Sequence, residues 1–337
     1  MHDRLLPIAV MSLLLVAADM RPAAGGDRSP GDIFRDCPDC PSMVVVPTGG
    51  YRMGSPPDER GRAFTEGPVH AVEIRRPFAL GRFEVTRGQF AAFVAATGFT
   101  GGVGCYWWTG DGWADDEKNA WRDPYWWTGD GWVADVKKGW RDPGYRQGDD
   151  EPVACVNWAD AEAYIDWLSR RTGSAYRLPT AAEWEYAARA GSTAARPWED
   201  ETGGACSYAN VHDRISRARL GPSWSHHDCD DGFARTSPGG RFPANAFGLF
   251  DMLGNVWEWT ADCWHDDYTG APADGRAWTR GGDCARRVLR GGSWSALPRQ
   301  IRFAARIHNT PLTRLWNPNG YRSDSGFGFR VARDLVD

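Results

Sequence analysis

The stretch RVLRGGSWSALPRQIRFAAR, residues 287 to 306, carries five arginines and two serines but no Cys, His, Asp or Glu. Its candidate chemistry rests on those serines and arginines, with His308 and Asn309 just beyond in HNTP. A serine is a weak nucleophile until a base takes its proton; His308 could serve, but suits a surface position equally well. Arginines grouped in this way more often hold backbone carbonyls or face solvent than build an anion site. Two acidic turns, DCDDGF and DMLGNVWEW, offer the oxygen donors that hard cations prefer. Neither has EF-hand spacing, and short acidic turns are common without an ion. Cys37-Pro-Asp-Cys40 taken alone could be a redox or zinc pair, but with no second CxxC and no histidine cluster it reads as a structural staple. No G-x-S-x-G, H-E-x-x-H, P-loop or strand-linked G-x-G-x-x-G occurs, which removes the common hydrolase and nucleotide classes.

These residues need elements to place them. With 337 residues, 42% of them apolar, the chain can bury a substantial core in one large domain or two. A net charge of −5 without a basic cluster argues against nucleic acid as a partner. Nineteen Trp, 40 Gly and 22 Pro point to a turn-rich domain with many aromatic anchors. Three helices carry their own signals. Thr86 and Gln89 form a capping box ahead of Phe90, Phe93, Val94 and Thr97, with Gly98 as the stop. Asn157 caps a second helix, with Ala161, Tyr164, Ile165 and Leu168 on one face and Gly173 at its end. Thr180 and Glu183 repeat the box before Gly191. Met43 to Val46 reads as a strand entering a turn, and Val72 and Ile74 alternate as in another. From about residue 195 the spacing of Gly, Pro and Trp predicts short strands at best, so the class is α+β with much irregular structure.

Residues 106–124 and 125–143 are a tandem 19-residue repeat, matching at 14 positions. Each copy reads as strand, Gly-Asp-Gly turn and return strand. Two copies are too few for a solenoid or propeller. An exposed tryptophan platform is one reading; a duplicated surface loop is the plainer one. At the N-terminus, residues 1–24 have the layout of a secretory signal, with an apolar run from Leu5 to Ala18 too short to span a bilayer comfortably. Nothing later in the chain resembles a membrane span. Residues 25–42 read as a linker containing the CxxC pair, and residues 43–335 as the folded domain. A secreted or periplasmic location makes the eight cysteines disulfide partners, with a connectivity that spacing alone leaves open.

The ordered segments RLPTAAEWEYAARAG, FPANAFGLFDMLGNVWEWT, RVLRGGSW and GFGFRVAR make the chain resemble the formylglycine-generating enzyme (sulfatase-modifying factor) family. The resemblance implies a variant of the C-type-lectin-like fold, low in regular secondary structure, with two structural calcium sites. Its ligand sets fall on Asn210, Val211 (carbonyl), Asp231 and Phe233 (carbonyl), and on Asp251, Gly254 (carbonyl), Val256 (carbonyl) and Glu258. Position 251 departs from the usual Asn yet keeps a hard oxygen. The same resemblance suggests pairing Cys37 with Cys40, Cys105 with Cys155, Cys206 with Cys229, and Cys263 with Cys284. In formylglycine generators the segment after GGS holds two cysteines that bind Cu(I) and activate dioxygen, because soft thiolates suit that ion. Here Ala296 stands in the first cysteine's place, the segment is about three residues shorter, and no Cys follows Cys284. Ser293 and Arg306 match the family's pocket serine and arginine. No copper is expected.

The leading expectation is therefore an exported, monomeric binding or scaffold domain for an extended peptide, a protein segment or a glycan. An oxidative tailoring enzyme of different chemistry is the alternative, since relatives of this fold act in siderophore chromophore maturation and, when joined to an iron-binding domain, in sulfoxide synthesis. That partner domain, with its His-rich iron motif, is absent from this chain. A sulfatase activator working without the copper pair stands last.

Overall fold

The structure, a computed structural model, describes residues 28–101, 103–108, 132–198, 204–221, 224–309 and 326–335. The expected signal segment and most of the tandem repeat lie outside the described residues. Met43–Val46 (β2) forms where four apolar residues precede Pro47, and all four are buried. It pairs antiparallel with Phe78–Gly81 (β5), which pairs in turn with Ala332–Asp334 (β13) and, through it, with Tyr176–Arg177 (β8). Ile33–Phe34 (β1) closes the other edge against β2. The folded unit thus begins earlier than residue 43. Part of the expected 25–42 linker is a strand whose neighbour Asp36 accepts bonds from Tyr176 Oη and Arg333 Nη1.

A second sheet is built on Trp257–Trp264 (β9), antiparallel to Asp283–Arg290 (β10) and parallel to Phe327–Gly328 (β12). Arg306–Asn309 (β11) lies on the far side of β10. Two eight-residue strands in a region where only short strands were predicted are a correction. Their sequences are broken by charged residues whose partners lie far away in the chain, so local alternation does not reveal them. Gly49–Met53 (β3) pairs with His70–Ile74 (β4). Val103–Trp108 (β6) pairs with Trp132–Gly139 (β7), so the leading strand of the first repeat copy is partnered by the return strand of the second, not by its own.

The helices follow their caps. Arg87–Thr97 (α1) starts at Thr86, whose side chain accepts from Gln89 N, and ends at Gly98 in the left-handed region. Trp158–Thr172 (α2) is capped by Asn157 and stopped by Gly173. Ala181–Arg189 (α3) is capped by Thr180 but ends on Ala190, one residue before the predicted Gly191. A fourth, Arg214–Leu220 (α4), capped by Asp213, was not predicted. Tyr164 of α2 packs on Phe90 and Phe93 of α1 with ring centroids 6.0 and 5.7 Å apart. Every residue of α3 is buried, which makes it the central element of the core. All four expected disulfides are present, and no cysteine is free.

Buried arginines tie the irregular segments together. Arg290 of β10 donates to Glu185 of α3 (2.5 Å) and to the carbonyls of Phe303, Ala304 and Ala305. Arg302 grips Glu59, Glu66 and the Gly61 carbonyl. Arg330 holds Glu258 through two nitrogens and also reaches the carbonyls of Gly81 and Phe250. Glu185→Gln keeps the shape but leaves Arg290 without its counter-charge in the core, so it should destabilise the fold by about 3–5 kcal/mol. Urea unfolding followed by near-UV circular dichroism measures this, and a loss below about 1 kcal/mol would contradict it.

Candidate functional site

Segment 293–306 begins as β10 ends. Gly291 and Gly292 turn the chain at φ 97° and 80°. Ser293 is buried, its Oγ 3.2 Å from Ser295 Oγ. Trp294, also buried, donates its backbone N–H to the Asn255 carbonyl. Ala296 is buried where the copper cysteine was expected to be missing. Arg306 is fully inside, donating to the carbonyls of Thr65 and His265, with its guanidinium carbon 4.2 Å and 4.6 Å from the ring centroids of Trp264 and Tyr268. Burial lowers its pKa, although arginine stays charged. Four of the five arginines in the opening stretch thus hold backbone carbonyls, Arg287 doing so at Ala261.

The structure does not gather Ser293 and Arg306 into one pocket. Arg306 lines a cavity of about 20 Å³ with His70, Tyr268, Asp262, Trp278 and Met53, and Ser293 is not among its walls. Arg306 Nε, Tyr268 Oη and His70 Nε2 are buried there without a protein partner. The space suits one water, not a substrate. His308 lies against Trp264, ring centroids 4.4 Å apart, with Arg286 Nη1 3.4 Å from its Nε2. Asn309 is buried beside it.

Open space lies elsewhere. A cavity of about 490 Å³ is lined by Arg87, Arg141, Asp142, Tyr145, Arg146 and Gln147. A second, of about 660 Å³, shares Arg87 and Arg141 and adds an apolar wall of Ala91, Val94, Phe99 and Trp140. Tyr145 connects this groove to the segment of interest, its ring standing edge-on to Trp294 at 6.2 Å.

Residues of the first expected cation set lie in one neighbourhood. Asp231 accepts from the backbone N–H groups of both Val211 and Phe233, which brings that set into one loop cluster. Asn210 Oδ1 is buried without a partner. Burial pushes the Asp231 carboxyl up to about 7. Asp213, the cap of α4, stands next to Asp231, whose N–H it accepts. In the second set, Asp251 has one oxygen on Gly240 N–H and the other buried and unpartnered, and burial raises it to about 6. Glu258 accepts from Arg330 and from Trp184 Nε1. Gly254, at φ 85°, brings the two sets back to back: a Cβ there would sit 2.2 Å from the Asn210 carbonyl. Sequence reasoning missed Glu84, whose two carboxylate oxygens are buried without partners and whose pKa burial raises, with Asp251 adding to the shift. No sequence pattern marks it, because FEVT reads as an ordinary prelude to a helix cap.

The chain matches the sulfatase-modifying factor enzyme 1-like domain over residues 29–335. It belongs to that family. The formylglycine-generating enzyme of Thermomonospora curvata is 34% identical over 335 residues, covering 91% of this chain and 96% of that one. The inactive C-alpha-formylglycine-generating enzyme 2 of Bos taurus is 32% identical, covering 85% and 89%. Among solved structures, PvdO from Pseudomonas aeruginosa superposes with a TM-score of 0.71 at 37% identity, over 92% of this chain and all of that one. The fold is accordingly the family's α+β variant of the C-type-lectin-like architecture. Among the described residues, no helix is long and apolar enough to cross a membrane. The thiolate copper centre of the family's oxidases does not fit this member, since all eight sulfurs are in disulfides.

Burial, with the Arg286 and Arg306 cations behind it, lowers the His308 pKa to about 4, from 6.5 in an unfolded chain. Between those values the unfolded state holds more protons, so stability is lost as pH falls from 6.5 towards 4. His308→Gln should therefore show a shallower decline of Tm across that window than the parent protein; parallel curves would count against a neutral buried imidazole.

Proposed function

We propose that this family member is an exported tailoring enzyme acting on a peptide-derived substrate, of the siderophore-maturation kind, and not a sulfatase activator. The carrying observation is a sulfur-free 293–306 segment in a chain whose cysteines are all disulfide-bonded, with Trp294 of that segment packed edge-on against Tyr145 of an open groove. Four disulfides suit an oxidising compartment, which supports export. Similarity to PvdO, at 37% identity over 92% of this chain, supports the reading. A second reading, a binding or scaffold domain for a peptide or glycan, is favoured by the similarity to a relative named inactive.

The chain's own residues offer positioning and binding: Trp294 and Tyr145 as an aromatic wall, Arg141 and Arg146 as cationic groups at the rim, and Arg306 as a buried support for the loop bearing residue 65. Co-expression with a cysteine-type sulfatase should give no aldehyde on its signature peptide by mass spectrometry. The purified protein should consume dioxygen with a peptide siderophore precursor and retain no Cu(I). An aldehyde product would overturn the reading, and oxygen uptake with no precursor would leave the binding domain in its place.

Two structural calcium ions are part of the proposal, held by Asn210, Val211, Asp231 and Phe233, and by Asp251, Gly254, Val256 and Glu258 with Glu84 alongside. Buried oxygens of Asn210, Asp251 and Glu84 without protein partners support it, since such groups are costly unless satisfied. Calcium at about 100 times its Kd should add about 2.7 kcal/mol of stability per site. A chelator should remove that gain, and Asn210→Ala or Glu84→Gln should shrink it. A Tm indifferent to chelator would refute the ions.

A further inference from the structure

Arg235 differs from the other arginines of the interior. Arg189, Arg290, Arg302 and Arg330 are each paired with a buried carboxylate. The Arg235 guanidinium instead packs on aromatic rings, its carbon 4.7 Å from the Tyr145 centroid and 6.0 Å from that of Trp294. Its hydrogen bond to protein is a long one, Nη1 to the Gly144 carbonyl at 3.4 Å. Among the described residues no carboxylate forms an ion pair with it. Burial disfavours its charge, with only a small opposing effect from Tyr145.

The position matters as much as the missing partner. Tyr145 and Gly144, which Arg235 contacts, line the 490 Å³ half of the groove together with Arg141 and Arg146. Arg87 on that wall is neutralised by Asp149, and Asp142 is the one acid lining the space. Trp294, the other ring under Arg235, sits between Ser293 and Ser295. The guanidinium lies over the Tyr145 ring, with the Trp294 ring edge-on to that ring, and its planar fork of N–H donors is the geometry that matches a carboxylate through two parallel bonds. Stacking fixes its orientation in advance, so little side-chain entropy is lost on binding.

We propose that Arg235, with Arg141 and Arg146 at the rim, forms a subsite for a carboxylate group of the ligand that enters the groove beside Trp294. The subsite deepens the tailoring reading by naming a substrate class, an acidic peptide or peptide-derived acid, while binding itself does not depend on turnover.

The test is calorimetric titration of the full exported protein with a capped tripeptide centred on glutamate, with its glutamine counterpart, and with inorganic phosphate. The glutamate peptide should bind about tenfold or more tightly than the glutamine one, in keeping with a charge-assisted pair. Arg235→Gln should abolish that preference, Arg235→Lys should restore only part of it, and Arg141→Gln with Arg146→Gln should weaken it and reduce its salt dependence. Unchanged near-UV circular dichroism of the variants confirms the fold, and the rim variants keep the test open if Arg235→Gln misfolds. Equal affinity for both peptides, no binding by either, a preference that survives Arg235→Gln, or tighter binding of phosphate would each overturn the proposal. If the preference holds while no precursor promotes oxygen uptake, the tailoring reading fails and the subsite stands. If a carboxylate-bearing precursor is oxidised and Arg235→Gln leaves its KM unchanged, the subsite fails and the reading stands.

Discussion

Buried guanidinium groups carry the architecture of this protein. Much of the chain is irregular, and irregular backbone inside a protein leaves carbonyls that no helix or ladder satisfies. An arginine offers five N–H donors in a rigid plane, enough to bind one carboxylate and several carbonyls together. Arg290, Arg302 and Arg330 each do this at sites where strand, helix and loop meet. The carboxylates are equally fixed: Glu185 also accepts from Gly54 N–H, and Glu66 from Ser55 Oγ. Removing either member would leave a charge in a low-dielectric interior, so the pairs hold the segments in one arrangement even where their net contribution to stability is small.

This constraint changes the meaning of the 287–306 segment. Its arginines resemble an anion site in sequence but are mostly committed to internal carbonyls. Arg306, the family's pocket arginine by resemblance, binds the carbonyls of residues 65 and 265 and closes a cavity too small for a substrate. The accessible cation belongs to Arg235, on a different loop, and reaches the segment only through the ring of Trp294. The fold has kept the family's scaffold while the chemistry at its centre has lost its sulfur. The groove beside it retains polar and aromatic walls.

The acidic turns show what the clamps leave unmet. Where the arginine clamps end, around Asn210, Asp231, Asp251 and Glu84, buried oxygens converge without a guanidinium to meet all of them. Arg330 reaches the edge of this region through Glu258 and the Asp251 carbonyl, linking the clamp system to the acidic cluster. The Cys206–Cys229 bridge fastens the loop carrying Asp231 to the segment before Asn210, so that the donors share one neighbourhood.

Sequence alone determined what depends on neighbours along the chain. The capping boxes at Thr86 and Thr180, the Asn157 cap and the stops at Gly98 and Gly173 are local, since a cap bonds to a backbone N–H three residues on. The four ordered motifs likewise gave the family, and with it the disulfide pairs. Tertiary structure decided the rest. Strands β9 and β10 form because partners distant in sequence satisfy their charged residues. Ile33–Phe34 joins the sheet because β2 offers an edge. Arg306 turns inward because its side chain finds the carbonyls of Thr65 and His265. Glu84 and Arg235 gain their character from burial against groups distant in sequence, and desolvation is a property of the packed interior that no window of sequence contains.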